Sequence, residues 1–427
     1  MDIRDLYQKY LESGKVSTDT RQITPGSVFF ALKGPSFNAN AFAPEALAKG
    51  ASYCVVDEPA FANDPRCLLV PDTLLALQDL ARYHRGQLTI PVIGLTGSNG
   101  KTTSKELVSA VLSKKFKTHA TRGNLNNHIG VPLTILSIDK SYEMAVVEMG
   151  ANHVGEIALL SGISRPTHGF ITNIGKAHIG TFGGFENIIR GKTELYQFLI
   201  ESNGTVFINS TNPILSTMTK RFKNPILYPA PGNFLHCSLT RSEPVLEVLS
   251  EQGRTIRTQL VGAYNFENIA IALCIGKYFA VGPDDAARAI EEYAPGNMRS
   301  QIIRKQTNTL ILDAYNANPT SMEAAIDSLA RMKANKKIAI LGDMFELEDE
   351  AIAEHQHIGV VLKEKNIDEA YLCGELMQHA RATFPQGKFF RTREELMTVL
   401  RANPISDATI LIKGSRGMAM EKVAEIL

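Results

Sequence analysis

The chain has 427 residues, a length that suits two or three domains of about 100–200 residues each. Its 45 Lys and Arg residues balance its 44 Asp and Glu residues, and the net charge of +1 argues against a broad electrostatic surface for nucleic acid or an anionic membrane. Hydrophobic residues make up 44% and charged residues 21%, which is typical of globular rather than disordered chains.

The first 85 residues contain short apolar runs separated by turn signals, a pattern that predicts a small α/β domain. The predicted elements are strands at residues 27–32 and 52–56 and helices at residues 41–49 and 74–85. A polar joint, Arg85-Gly86-Gln87, then separates residues 1–85 from the next unit.

Strands and helices alternate over residues 86–295, which predicts a mostly parallel, doubly wound sheet. An apolar strand at residues 90–95 leads into a glycine-rich turn and a helix that starts at Thr102, so this central domain resembles a P-loop ATPase. Further strands are predicted at residues 144–147 and 169–172, helices at 186–201 and 265–280, and antiparallel strands within 244–260.

A second break, Ala294-Pro295-Gly296, precedes a third unit over residues 296–427. Alternating elements again predict an α/β sheet, here of Rossmann-like type. The strands are predicted at residues 309–312, 337–341, 370–372 and 409–412, and the helices at 320–333, 354–365 and 393–401. The whole chain is therefore expected to be an α/β protein of three domains.

The five cysteines are scattered and include no C-x-x-C pair, which disfavours a disulfide scaffold or a zinc ribbon. The opening sequence, MDIRDLYQKYL, lacks the apolar core of a signal peptide. The longest apolar stretch, residues 269–281, is interrupted by Gly276 and Lys277 and is too short to span a bilayer. We therefore expect a reduced, cytoplasmic protein without membrane insertion.

The strongest chemical signal is the segment TGSNGKTT, which follows the strand at residues 90–95. Glycines allow backbone N–H groups to face phosphate oxygens, Lys101 adds a positive charge, and the Thr102 hydroxyl can ligate Mg²⁺. The strict G-x-x-x-x-G-K-[ST] pattern fails by one place, because Leu95 stands where the first glycine should be and Gly94 precedes it. The predicted ATP-binding residues of this loop are Gly97, Ser98, Asn99, Gly100, Lys101, Thr102 and Thr103. The alternative is an ordinary glycine-rich turn with a solvated lysine.

Three further residues could support phosphate chemistry. Glu148 ends the strand at residues 144–147, where an acid faces the crevice of a parallel sheet and can help to hold Mg²⁺, although such acids are also common as caps. His178 follows the end of another strand, but a lone histidine is more often structural. Lys192 lies in an amphipathic helix, and composition alone favours a solvated lysine.

Together these segments resemble the Mur ligase family, the ATP-dependent amide-bond formers of peptidoglycan synthesis, and the resemblance covers essentially the whole chain. The branch that adds D-alanyl-D-alanine is indicated by the segments NLNNHIG, DAYNANP and KGSR. The sequence lacks a D-N-P-R string, which would have indicated a lysine- or diaminopimelate-adding enzyme. The matching motifs are TGSNGKTTSKE (96–106), GNLNNHIGVPLT (123–134), EMGANHVGEI (148–157), ITNIGKAHIGTFG (171–183), GKTELY (191–196), DAYNANPTSMEAAI (313–326), ILGDMFEL (340–347) and KGSRGM (413–418).

The resemblance assigns roles in the central crevice. It implies that Glu148 and His178 are metal ligands together with Thr102, and that Lys192 is carried as a carbamate, a modification that turns an amine into a metal-supporting carboxylate. The catalytic set is then Lys101, Lys192, His178 and Glu148. The residues it adds to the nucleotide site are Asn268 for the adenine, Arg299 for the phosphates, and Asp313 and Asn316 at the closing cleft. Each has a plain alternative as a cap or a surface group.

The resemblance also assigns the other substrates. Residues 17–34 resemble the uridine-nucleotide segment, with Thr20 on the hydroxyl position, although Ala39 stands where glycine is usual. The candidate substrate-binding residues elsewhere are Asn126, Asn127, Lys413, Ser415 and Arg416. In the last group a guanidinium fork would bind a dipeptide carboxylate, and the alternative is a structural salt bridge of Arg416.

The activity implied by the resemblance is the ATP- and Mg²⁺-dependent joining of D-Ala-D-Ala to UDP-MurNAc-tripeptide by a monomer that has no nucleic-acid partner. On this reading residues 1–85 bind the UDP-sugar, residues 86–295 bind ATP, and residues 296–427 bind the incoming dipeptide. Two alternatives remain open at this point. One is another ligase of the superfamily, either lysine- or diaminopimelate-adding or of the folylpolyglutamate type, and the other is a non-catalytic P-loop switch.

Overall fold

The computed structural model describes residues 1–296 and 298–427. The N-terminal region carries a four-stranded parallel sheet of order β1-β2-β5-β6, and a small hairpin pairs β3 with β4. Its elements are α1 (Ile3–Ser13), β1 (Val16–Ser17), β2 (Val28–Phe30), β3 (Lys33–Gly34), β4 (Phe37–Asn38), α2 (Ala43–Ala48), β5 (Tyr53–Val56), β6 (Cys67–Leu69) and α3 (Thr73–Gln87).

A six-stranded parallel sheet of order β12-β11-β10-β7-β9-β8 forms the middle of the molecule. Its first part comprises β7 (Val92–Thr96), α4 (Lys101–Leu112), β8 (Thr118–Ala120), α5 (Gly130–Leu136), β9 (Met144–Glu148), α6 (Glu156–Ser164), β10 (His168–Ile171), α7 (Ile179–Phe182) and α8 (Phe185–Glu201). Its second part comprises β11 (Thr205–Asn209), β12 (Ile226–Tyr228), β13 (Cys237–Arg241), β14 (Glu247–Ser250), β15 (Thr255–Arg257), α9 (Phe266–Tyr278) and α10 (Pro283–Glu292).

The central strands are covered by helices on both faces. Every residue of β7 and β9 is buried, as expected for parallel strands that read as continuous apolar runs. Leu107, Val108 and Val111 of α4 pack into the same apolar cluster as the apolar residues of α9. This doubly wound arrangement leaves the carboxyl ends of the strands as the edge at which ligands bind.

A second six-stranded sheet, of order β16-β17-β21-β18-β19-β20, forms the C-terminal region. Its strands are parallel except for β16, which pairs antiparallel with β17. The elements are β16 (Gln301–Lys305), β17 (Asn308–Asp313), α11 (Pro319–Arg331), β18 (Lys337–Gly342), α12 (Ala351–Glu364), β19 (Glu369–Cys373), β20 (Lys388–Phe390), α13 (Arg393–Ala402), β21 (Thr409–Lys413) and α14 (Glu421–Ala424).

The predicted α/β class is confirmed, including the antiparallel segment, which forms the separate sheet β13-β14-β15. The structure differs from the prediction in several details, of which one helix and one strand are examples. The helix predicted at residues 41–49 is only Ala43–Ala48, because a 3₁₀ turn at Ala39–Phe42 precedes it. The edge strand β16 was missed, because its half-buried residues QIIRK do not form an apolar run. The boundaries of the three domains stay predictions.

A helix that spans a membrane must be both long, at about 20 residues, and predominantly apolar. No helix within residues 1–296 and 298–427 is both long and apolar enough to cross a bilayer.

Candidate active site

A cavity of about 950 Å³ lies where the carboxyl ends of the central strands meet the C-terminal region. One wall is the loop between β7 and α4, and the opposite wall comes from β17 and the start of α11. Of the predicted site residues, those that line the cavity are Ser98, Asn99, Gly100, Lys101, Thr102, Thr103, Asn126, Asn127, Glu148, His178, Asn268, Arg299, Asp313, Asn316 and Lys413.

The loop between β7 and α4 has the shape of a phosphate-binding turn. Gly100 precedes α4 with φ +77°, a left-handed conformation that glycine adopts without strain. Gly97 has φ +146°, and a Cβ there would lie 1.9 Å from the Thr172 hydroxyl oxygen. Both glycines are therefore required by the backbone path, and α4 directs its N-terminal N–H groups and dipole toward the cavity.

Lys101 is held over its own loop. Its Nζ donates to the carbonyl oxygen of Gly97 at 2.6 Å and to that of Ser98 at 3.3 Å. Burial of the ammonium lowers its pKa, and the nearby Glu148 carboxylate opposes that effect. Since its direct partners are neutral carbonyls, the charge of Lys101 remains free to meet an anion in the cavity.

Glu148 has one oxygen engaged and one free. Its Oε1 accepts from Asn126 Nδ2 at 2.8 Å and from the Thr102 hydroxyl at 3.3 Å. Its Oε2 is buried and has no hydrogen-bond partner in the described part of the chain. A buried carboxylate oxygen next to a threonine hydroxyl fits a hard cation such as Mg²⁺. Asn126, predicted to bind substrate, lines the cavity and contacts this carboxylate.

His178 meets the C-terminal region. It begins α7 with φ +58°, and its Nδ1 contacts Glu346 Oε2. Residues 1–296 and 298–427 contain no cluster of three or more His, Cys, Asp or Glu side chains arranged to hold a metal. His178 thus has the Glu346 carboxylate as its partner, and its role as a metal ligand stays a prediction.

Lys192 is fully buried and does not line the cavity. Its Nζ donates to the Ala151 carbonyl oxygen at 3.0 Å and lies 5.0 Å from the centre of the Phe182 ring. Burial, reinforced by the charge of Lys101, holds the pKa of Lys192 well below its ordinary value. The expectation of a solvated lysine is therefore wrong.

Arg299 and Asn268 occupy two sides of the cavity. The Arg299 guanidinium stacks on the Tyr315 ring at 3.7 Å, and its buried Nε has no partner among the described residues. The Asn268 amide accepts from the Ser104 hydroxyl at 2.7 Å and donates to Asn265 Oδ1 at 2.8 Å. Arg299 thus has a donor available for an anion, whereas Asn268 supports the start of α4.

The C-terminal candidates are held by partners of their own. Lys413 is buried and pairs with Asp313 Oδ2 at 2.5 Å. The buried Ser415 hydroxyl accepts from the Phe345 N–H at 2.9 Å. Arg416 is half-exposed and pairs with Glu421 at 2.9 Å, which is the salt bridge named above as the alternative. Neither Ser415 nor Arg416 lines the cavity.

Three other predicted residues have local contacts. Thr20 opens a 3₁₀ turn and offers its carbonyl oxygen to Lys49 at 3.0 Å, away from the residues that line the cavity. Asn127 accepts from the N–H groups at the start of α5, so its side chain caps that helix. Asn316 is exposed at the cavity, and its carbonyl oxygen accepts from Lys413 at 3.1 Å.

The sequence did not identify every residue that lines the cavity, and Asn173, Glu267 and Asn318 are examples. Asn173 Oδ1 accepts from the Asn99 N–H at 2.9 Å, and Asn318 Nδ2 donates to Asn99 Oδ1 at 2.7 Å. Burial raises the pKa of Glu267 to about 7. Asn318 belongs to the DAYNANP motif, so the sequence could have indicated it as a site residue. The sequence could not indicate its contact with a loop 219 residues away.

A phosphate loop on a doubly wound sheet, facing a C-terminal Rossmann-like region across one cavity, defines a nucleotide-dependent enzyme of the P-loop class. Residues 95–276 match the model of the Mur ligase middle domain, and residues 298–416 match that of the Mur ligase glutamate ligase domain. The chain belongs to the Mur ligase family.

Similar proteins extend this result over the full length. The UDP-N-acetylmuramoyl-tripeptide–D-alanyl-D-alanine ligase of Bacillus subtilis is 34% identical, and the match covers 96% of this chain and 92% of that one. A MurF crystal structure from Acinetobacter baumannii superposes with a TM-score of 0.88 at 32% identity and covers 99% and 97% of the two chains. A MurF ligase of Thermotoga maritima in complex with ADP gives 0.86 at 27% identity, with 97% of both chains covered.

Proposed function

We propose that this chain is the ATP-dependent ligase that joins D-alanyl-D-alanine to UDP-N-acetylmuramoyl-tripeptide, which completes the peptidoglycan precursor UDP-MurNAc-pentapeptide. The observation that carries the proposal is the shared cavity, in which Lys101 of the phosphate loop and Arg299 of the C-terminal region present cationic groups to one space. The full-length similarity to ligases that bear this name supports the choice of substrates.

The reaction follows from the weakness of a carboxylate as an electrophile. Transfer of the γ-phosphoryl group of ATP to the peptide carboxylate makes an acyl phosphate and releases ADP. The dipeptide amine then attacks the acyl carbon, and the tetrahedral intermediate collapses to the amide as phosphate leaves and the amine loses a proton. Lys101 and Arg299 neutralise the phosphates and hold the reactants in place, while the two facing regions exclude water from the acyl phosphate.

Thr102 and Glu148 are the residues that would hold Mg²⁺, because the free Oε2 of Glu148 is buried beside the Thr102 hydroxyl. A bound Mg²⁺ would supply charge neutralisation to the phosphates. The Asn126 amide fixes the other oxygen of the carboxylate and so orients Glu148, and as a residue of the cavity lining it is also proposed to contact substrate.

Lys192 is proposed to carry a carbamate. Formation of the carbamate requires an uncharged amine that attacks CO₂, and the burial that lowers the pKa of Lys192 favours this form. The product is a carboxylate with the loss of one proton. His178, assigned a metal-ligand role by the family resemblance, is proposed to act with this group.

The outer domains are proposed to bind the other two substrates. Residues 1–85, with Thr20, would bind the UDP-sugar, and residues 296–427, with Ser415 and Arg416, would bind the dipeptide. Residues 86–295, with Asn268 near the start of α4, would bind ATP. We further propose that the protein acts as a monomer in the cytoplasm, with no nucleic-acid partner.

An assay of ADP release against a panel of UDP-muramoyl peptides and amine acceptors tests the proposal. The panel contains tripeptides that end in lysine or in diaminopimelate, dipeptides that end in D-Glu, and the acceptors D-Ala-D-Ala, L-lysine, diaminopimelate and glutamate. We expect ADP release only when a tripeptide and D-Ala-D-Ala are both present. ADP release with a single amino acid would identify another ligase of the superfamily, and ADP release independent of any acceptor would favour a P-loop switch.

A further inference from the structure

Among the residues that the structure describes, one hydrogen bond connects the phosphate loop to the C-terminal region. Asn318 Nδ2 donates to Asn99 Oδ1 at 2.7 Å, and both residues line the cavity. Each of the two side chains belongs to a segment that other hydrogen bonds hold in place. The hydrogen bond between them therefore joins two well-fixed parts of the molecule.

On the loop side, the backbone of Asn99 is fixed by residues that follow β10. The Asn99 N–H donates to Asn173 Oδ1 at 2.9 Å, and the Asn99 carbonyl oxygen accepts from the Thr172 hydroxyl at 2.6 Å. These contacts leave the Asn99 side chain as the part of the loop that reaches across the cavity.

On the C-terminal side, Asn318 is the N-cap of α11. Its Oδ1 accepts from the Ser321 N–H at 2.9 Å, and the Ser321 hydroxyl accepts from the Asn318 N–H at 3.1 Å. The amide therefore uses its oxygen for the helix and its nitrogen for the loop. A substitution can therefore remove the hydrogen bond to the loop and keep the one that caps α11.

We propose that the Asn99–Asn318 pair is a positioning contact that couples closure of the C-terminal region to the phosphate loop. When the regions close, Asn318 holds Asn99 and with it the backbone N–H groups that face the transferred phosphoryl group. When they open, the loop loses this brace. The inference rests on the ligase reaction proposed above, and it adds two residues that position the loop without requiring either side chain to touch the reacting atoms.

The main test is Asn318→Ser. Serine is a good N-cap, so it keeps the bond to the start of α11, but it is too short to reach Asn99. We expect kcat to fall about tenfold, the scale of one hydrogen bond lost in the closed state. The melting temperature without ATP should stay close to that of the wild type, because serine keeps the cap of α11.

A double-mutant cycle isolates the contact. If Asn99→Ala and Asn318→Ser act through one bond, the double variant should be no slower than the slower single variant. The matched control is Glu354→Gln, because Lys176 and Glu354 also join the two regions, at 2.5 Å, without touching the loop. In the variant that combines Asn99→Ala with Glu354→Gln, the fold reduction in kcat should therefore equal the product of the two single reductions.

Wild-type turnover of Asn318→Ser, or multiplied effects in the Asn99–Asn318 cycle, would overturn the proposal. If Asn318→Ser melts early, Asn318→Thr replaces it, since threonine also caps a helix and is too short to reach Asn99, and normal turnover of that variant overturns the proposal equally. Small-angle scattering with ATP provides a readout that does not depend on ligation. We expect the Asn318→Ser variant to be less compact than the wild type, whereas equal compactness would contradict the coupling even if the proposed substrates were wrong.

Discussion

The phosphate loop and the segment KGSRGM at residues 413–418 both follow a buried parallel strand, yet their lysines are used differently. Lys101 bonds to two neutral carbonyl oxygens of its own loop, whereas Lys413 pairs with the carboxylate of Asp313 at 2.5 Å. The first lysine keeps an uncompensated charge that can meet a phosphate, and the second is neutralised and ties the ends of β17 and β21 together. The same residue type at the end of a strand is therefore paired with neutral carbonyls in one sheet and with a carboxylate in the other.

The largest expected effect is on catalysis when the free charge is removed. Lys101→Met should lower kcat about a thousandfold, because the transferred phosphoryl group loses a preorganised cation. Thermal unfolding should show the wild-type fold, since the lysine bonds only within its own loop. Turnover near that of the wild type would remove Lys101 from the phosphate site and would abolish the contrast with Lys413.

The corresponding change at Lys413 should act on stability. Lys413→Met leaves the Asp313 carboxylate without its cation, and we expect the free energy of unfolding to fall by about 3 kcal/mol. The matched control is Arg416→Met, which breaks the half-exposed pair with Glu421 and should cost less than about 1 kcal/mol. Urea denaturation measures both variants. Equal losses would mean that burial does not distinguish the two pairs.

Lys192 is a third lysine that can be compared with Lys101 and Lys413. It is buried and has no carboxylate partner among the described contacts. Lys192→Ala and Lys192→Arg should each lower kcat about a hundredfold, the second because a guanidinium keeps positive charge where the carbamate would be negative. A small carboxylic acid should partly restore Lys192→Ala, and buffer depleted of CO₂ should slow the wild type. Full activity of Lys192→Arg is incompatible with the carbamate.

Glu267 is an acid that can be compared with Asp313, which pairs with Lys413. Burial raises the pKa of Glu267 to about 7, and hydrogen bonds from the side chains of Asn209 and Asn212 oppose that rise. A folded-state pKa above the ordinary 4.5 means that the folded protein retains a proton which the unfolded chain releases. The contribution of Glu267 to the free energy of unfolding should therefore be largest below pH 4.5. It should decline as the pH rises through 7, by about 2 kcal/mol after allowance for partial exposure.

Urea titrations of the wild type and of Glu267→Gln between pH 5 and pH 8, spanning the raised pKa of about 7, measure this contribution. The difference in unfolding free energy between the two proteins should shift in favour of the Gln variant as the pH rises. A constant difference over that range would show that Glu267 titrates at its ordinary value in the folded protein.

The smallest expected effect concerns the dipeptide. Arg416→Lys keeps the ion pair with Glu421 but loses the planar fork that suits a carboxylate. The KM for D-Ala-D-Ala should rise about fivefold, as expected for one charge-assisted hydrogen bond, while the KM for ATP stays constant. An equal rise for both substrates, or none for either, would leave the segment 413–418 with a structural role alone.

The features that the sequence predicted well are those set by neighbours in the chain. The strand before Gly97, the turn at Gly100 and the helix after it follow from local periodicity and from backbone freedom, and all three lie where the pattern placed them. Glu148 was placed in the crevice for the same reason, because it ends an apolar parallel strand.

The features that the sequence could not predict depend on partners distant in the chain. Lys413 meets a carboxylate 100 residues away, and Asn318 meets a loop 219 residues away. The burial of Lys192 depends on how α8 packs, since hydrophobic periodicity identifies the buried face of a helix but not a lysine within it. Pairing and desolvation of this kind are properties of tertiary packing. Lys192 and Lys413 were therefore assigned from family resemblance alone, and Asn318 was missed.

The measurement that tests the central claim most directly follows oxygen atoms from the peptide to the phosphate. UDP-MurNAc-tripeptide carrying heavy oxygen in its terminal carboxylate is incubated with ATP, Mg²⁺ and D-Ala-D-Ala, and the products are analysed by mass spectrometry. The account predicts equal amounts of ADP and UDP-MurNAc-pentapeptide, with one heavy oxygen in each phosphate released, because the acyl phosphate passes that atom to the leaving group. Phosphate without the label, or ADP formed without pentapeptide, would contradict it.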